Sequence, residues 1–143
     1  MVRYRGSIAA AMMTAVLALL SASCGGDSVS GTARAERYRY ASEQRTPVVA
    51  FATGVFTVTQ RIGERFDGTL DVLQTDPNGR VERRAGIVRG RLSAGTMDFD
   101  VMLDGDVYRH VGRALSDTVS GNWLDVSAVG NVATGTFRLE RSP

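Results

Sequence analysis

Met97-Asp98-Phe99-Asp100-Val101-Met102-Leu103-Asp104-Gly105-Asp106 decides the fold. Met97, Phe99, Val101 and Leu103 alternate with Asp98 and Asp100, so one face of this stretch is apolar and the other charged. A period of two marks a half-buried β-strand, because successive strand side chains point to opposite faces. Asp104-Gly105-Asp106 is turn chemistry, and the chain doubles back into Val107 to Leu115.

The same pattern extends in both directions. Upstream, Gly54-Val55-Phe56-Thr57-Val58-Thr59-Gln60-Arg61 is rich in β-branched and aromatic residues, and Gly63-Glu64 turns it. Phe66, Gly68, Leu70 and Val72 then share one face, and Asp67, Thr69 and Asp71 the other. Asp76-Pro77-Asn78-Gly79 turns the chain again into Val81 to Leu92. Downstream, Ser116-Asp117 leads into Val119 to Val126, and a last strand puts Ala133, Gly135, Phe137 and Leu139 inward. Gly90-Arg91-Leu92-Ser93-Ala94-Gly95-Thr96-Met97 is echoed 22 residues later by Gly112-Arg113-Ala114-Leu115-Ser116-Asp117-Thr118-Val119. Repetition at hairpin spacing suits a meander in which each strand pairs with the next.

The expected fold is therefore all-β, a small antiparallel up-and-down barrel of seven or eight strands, with a two-sheet sandwich as the alternative. Closing the sheet removes its edges. Gly68, Gly90, Gly112, Gly121 and Gly135 would weaken a flat sheet but suit a wall that bends sharply. Val119-Ser120-Gly121-Asn122-Trp123 and Gly135-Thr136-Phe137-Arg138-Leu139 resemble barrels of the calycin kind, the lipocalin and avidin relatives, whose strands carry Gly-x-Trp and close with a basic residue. The resemblance implies barrel architecture.

Ahead of the domain, Arg3 and Arg5 precede an uncharged run from Gly6 to Gly26. Its apolar heart, Ile8 to Leu20, is shorter than the ~20 residues a membrane-spanning helix needs. Basic start, short apolar middle and small residues at the end make a secretory signal over residues 1–23. Ala22-Ser23-Cys24 resembles the lipobox of bacterial lipoproteins, and Cys24 is the sole cysteine. The resemblance implies cleavage before Cys24, acylation of its sulfur, and a membrane anchor. Gly25 directly after the cysteine, in place of aspartate, implies the outer membrane, facing the periplasm. Ordinary signal cleavage near Ser23 is the alternative. Residues 24–46 read as a flexible tether, Gly/Ser-rich at first and then mixed in charge, with Pro47 opening a barrel domain over 47–143.

Composition narrows the function. The chain has 17 basic residues, all arginine, against 15 acidic ones. Loss of Arg3 and Arg5 with the signal balances the charges, which argues against nucleic acid as a partner. His110 is the single histidine and no Gly-x-Ser-x-Gly elbow is present, so no catalytic residues are assigned. One histidine and an acylated cysteine do not make a zinc site, and Asp98, Asp100, Asp104 and Asp106 read as a solvated hairpin; no metal and no cofactor is expected. One constellation remains. Strand alternation and the echo turn Tyr108 and His110 inward, put Trp123 and Asp125 on the face of Gly121, and put Arg84 on the face of Gly90. Tyr108, His110, Trp123, Arg84 and Asp125 would form an apolar cup with a few polar groups, as small-molecule sites do. The sequence thus points to a lipid-anchored envelope protein with a non-catalytic barrel in a structural or binding role, or alternatively to a lipocalin-like carrier of a small apolar ligand.

Overall fold

A computed structural model describes residues 35–130 and 132–143. Eight antiparallel strands follow in order: β1 (Glu36–Thr46), β2 (Ala50–Ile62), β3 (Arg65–Thr75), β4 (Val81–Ser93), β5 (Thr96–Leu103), β6 (Asp106–Leu115), β7 (Thr118–Asp125) and β8 (Thr134–Arg141). Each pairs with the next, and β1 pairs with β8, so the sheet is a closed up-and-down barrel. The sandwich alternative is thereby set aside.

The tether expected over residues 24–46 needs correction, and with it the domain start at residue 47. Glu36–Thr46 is β1, the strand that closes the barrel. Tyr40 lies opposite Gly54 of β2 on one side and Leu139 of β8 on the other. Without β1, both β2 and β8 would present an unpaired edge, a ready template for aggregation. Arg37-Tyr38-Arg39-Tyr40 carries the strand alternation: the tyrosines turn inward and the arginines outward. Cys24, the signal over residues 1–23 and the tether's first residues lie outside the described residues.

The barrel is filled unevenly. Turns of two residues join β2 to β3, β4 to β5 and β6 to β7 at one end, where β1 also begins. Phe56, Phe66 and Phe99 plug that half, with ring centroids 5.2 to 6.3 Å apart in tilted and edge-on contacts. Val58, Met97, Val119 and Leu139 pack around them. The opposite end carries the longer connections, after β1, β3 and β7, and the tight turn after β5. At that turn Asp104 and Gly105 both take positive φ, 53° and 96°, the geometry of a type I′ hairpin.

The outer wall is charged. Arg83 pairs with Asp71, Arg89 with Asp67, Arg109 with Asp98, and Arg39 and Arg138 both with Glu140. Exposed pairs of this kind add little stability. Their position matters more: a barrel that spans a membrane needs an outward apolar band about 25 Å tall, and these pairs interrupt any such band. Among the described residues no helix is long and apolar enough to cross a membrane.

Candidate ligand-binding site

Above the phenylalanine plug, the inner faces of the strands leave a cavity of about 70 Å³, partly open at the end with the longer connections. A buried water needs about 10–15 Å³ on this scale, and an engineered cavity that holds benzene measures about 150 Å³. The space is therefore large enough for part of one small ring.

Its floor is built by register. Phe99, His110 and Trp123 are direct cross-strand partners on β5, β6 and β7, so their side chains stand abreast on the inner face. The His110 ring stacks on Phe99 with centroids 4.6 Å apart and planes 13° apart, and lies 6.3 Å and 28° from Trp123. Phe137 meets the imidazole edge-on at 5.0 Å.

His110 is only 2% exposed and is the one buried polar or charged side chain of the described core. Its Nδ1 is 3.0 Å from the Tyr108 carbonyl oxygen. A carbonyl only accepts, so Nδ1 carries the proton and donates. Nε2 is then an acceptor, and the Tyr40 hydroxyl donates to it across 3.1 Å. Burial favours the uncharged imidazole and pushes its pKa down to about 4, opposed in part by the Tyr108 carbonyl. Burial likewise pushes the Tyr40 phenol up to about 12. Both ring nitrogens are thus occupied within the protein, and the pair is neutral at physiological pH. Tyr40→Phe removes the donor to a buried acceptor, and should lower unfolding stability by about 1–2 kcal/mol in a urea titration at pH 7.

Trp123 carries an unpaid polar group. Its indole Nε1 is the only buried side-chain nitrogen or oxygen among the described residues with no hydrogen-bond partner. The ring packs over Gly135, where a Cβ would come within 2.6 Å of Nε1. An unsatisfied buried donor costs about 1–3 kcal/mol.

Polar groups gather toward the mouth. Arg84 lies opposite Val72 on the inner face, and its side chain is 16% exposed. Its Nε donates to Asp104 across 2.8 Å and its Nη1 to the Gln74 side-chain oxygen across 3.2 Å. Its guanidinium carbon stands 5.9 Å from the centre of the Tyr108 ring. Ser42 and Gln44 of β1 complete this rim, while Ala50, Ala52, Leu70, Val72 and Leu103 supply the apolar walls.

Of the five residues expected from the sequence, the structure brings Tyr108, His110, Trp123 and Arg84 together around the cavity. Asp125 stands apart and is corrected. It shares a rung with Tyr108, but it ends β7, and its Oδ1 accepts from the Ser127 amide, the Ser127 hydroxyl and the Ala128 amide at 2.7 to 3.1 Å. A short carboxylate followed two residues later by a free amide folds back on its own backbone, so Asp125 organises the β7–β8 connection. Sequence reasoning missed Tyr40, Ser42 and Gln44, all on the segment taken for a tether. The period-two spacing of those three residues was the signal.

No family model matches the chain, and no curated protein does. A solved structure does match. The fold is similar to that of EF1p2_mFAP2b. That protein was solved bound to DFHBI; the match has a TM-score of 0.58 at 12% identity and covers 74% of this chain and 91% of that one. Likeness at this identity establishes the shared closed-barrel fold.

Proposed function

We propose that this chain is a non-catalytic binding protein of the bacterial cell envelope, whose barrel takes a small, largely apolar molecule into the cup. The observation that carries the reading is the uneven filling: one half of the barrel is plugged with phenylalanines, while the other keeps aromatic walls and a polar rim around open space. A barrel selected only for stability would fill that space, because cavities cost energy. The EF1p2_mFAP2b barrel holds DFHBI, which supports ligand binding as a use of this architecture. The non-catalytic part rests on His110, whose two nitrogens are committed to Tyr40 and the Tyr108 carbonyl.

The envelope part rests on Cys24 and the signal-like stretch before it. Two or more acyl chains make a durable anchor where one does not. β1 begins at the plugged end of the barrel, away from the mouth.

Trp123 is the only tryptophan and lines the cup, so its emission reports occupancy. Titration with toluene and phenol should give a saturable change in emission. No saturable change with either, and no co-purifying small molecule by native mass spectrometry, would refute the binding role. Mass spectrometry of the membrane fraction should find an acylated N-terminal Cys24, and Cys24→Ala should move the protein to the soluble fraction; an unmodified cysteine in membranes would refute the anchor.

A further inference from the structure

We propose that the cup selects single-ring aromatic carboxylates, with the ring inward against His110 and Trp123 and the carboxylate at the mouth on Arg84. The proposal rests on the cup being a binding site, and adds the chemical class of its ligand.

Charge points to an anion. Arg84 is the only charged side chain among the cavity-lining residues, since His110 is neutral. Its neutralisation is lopsided. Asp104 takes Nε alone and is 64% exposed, on the water side, whereas the Arg84 side chain is 16% exposed. A guanidinium has five N–H groups in a planar fork that fits a carboxylate through two parallel hydrogen bonds. Asp104 does not use that fork, and Gln74 takes only one N–H of Nη1. Gln74 accepts through its oxygen, which leaves its amide nitrogen as a second donor beside the guanidinium.

Shape points to one flat ring. Of the rings that line the cavity, His110 and Trp123 lie with planes 28° apart, Tyr40 and Tyr108 stand edge-on to them, and apolar Leu70, Val72 and Leu103 close the sides. At about 70 Å³ the enclosed space is under half that of a benzene-holding cavity, so a ring enters in part and its substituent stays at the rim. An alkyl chain long enough to reach past the mouth would find the lower barrel already occupied by Phe56, Phe66 and Phe99.

The test compares benzoate with toluene, which share the ring and differ in the charge, using Trp123 emission on the barrel protein. Benzoate should bind at least about ten-fold more tightly than toluene, since a hydrogen bond to a charged group is worth about 1.5–3 kcal/mol. Arg84→Met keeps the apolar stem and should erase that preference, leaving toluene affinity within about two-fold. Arg89→Met, on the outer wall beside Asp67, should leave both affinities unchanged. If toluene binds as tightly as benzoate to the parent protein, the carboxylate assignment falls while the cup remains a binding site. If neither binds, both readings fall. The parent comparison stands on its own should Arg84→Met fail to fold.

Discussion

Acidification from pH 7 to pH 4 should cost the barrel about 3 kcal/mol of stability, and His110 should account for most of it. An ordinary histidine titrates near 6.5, and burial lowers His110 to about 4 in the folded protein. Between those values the unfolded chain takes up a proton that the folded chain refuses. Stability therefore falls as pH falls through this window, by about 1.4 kcal/mol per pH unit at full slope, and the full contribution is present only above about pH 6.5. The decline should be visible before the carboxylates titrate in bulk near pH 4. Asp71, whose carboxyl Arg83 holds below the usual carboxylate range, adds its own loss only at still lower pH. The measurement is a set of urea midpoints from pH 7.5 to 4. In Tyr40→Phe/His110→Phe both members of the buried pair become apolar rings of similar shape. That exchange loses the Nδ1–H bond to Tyr108, about 1 kcal/mol, but strands no buried partner on Tyr40. The double variant should show a nearly flat profile over the same range. An equally steep profile in the variant would mean that His110 is not held neutral by its surroundings.

The parts of this molecule that the sequence made legible are those governed by side-chain alternation. Met97, Phe99, Val101 and Leu103 all face the core as their spacing required, and the echo between Gly90 and Gly112 correctly marked two hairpins of one meander. Alternation also carried Tyr108, His110, Trp123 and Arg84 onto one inner surface before any pairing was known. It failed at two places for physical reasons. In Glu36–Thr46 the arginines and glutamates dominated the composition, and composition weighs charges without asking which side of a strand they take. The local alternation of Tyr38 and Tyr40 against Arg37 and Arg39 was outweighed by that charge, and closure of the whole sheet is what makes the strand necessary. At Asp125 the parity was right, yet the side chain sits at the end of its strand, where a backbone amide two residues on competes for the carboxylate. Depth was likewise hidden: nothing in the alternation distinguished the plugged half of the barrel from the open half.

The second large effect concerns the wall itself. Gly121→Ala should destabilise the barrel by at least about 3 kcal/mol, and Gly121→Val should yield no folded protein. Two opposing terms set the sign. Replacing glycine by alanine removes freedom from the unfolded chain and by itself favours folding by about 0.4–1 kcal/mol. Against that stands a close approach of backbones. Gly121 of β7 lies directly opposite Gly112 of β6. A Cβ at 121 would sit 2.8 Å from the Val111 carbonyl carbon and closer still to the Val111 oxygen and the Gly112 Cα. These are ladder atoms, which cannot turn aside as a flexible side chain can. The space above the pair is taken too, since a Cβ at Gly112 would meet the tip of Phe137 at 2.8 Å. An added methyl must therefore spread β6 from β7 or displace Phe137, and either change opens the core around Phe99, His110 and Phe137. Overlap of this kind outweighs the entropic gain several-fold. Ser120, the preceding residue, points outward and is exposed; Ser120→Ala changes a side chain on the same strand without touching the close approach, and should shift the urea midpoint by less than about 0.5 kcal/mol equivalent. If Gly121→Ala matches Ser120→Ala, the strands are not in contact at this bend, and the glycine there serves no need of the curved wall.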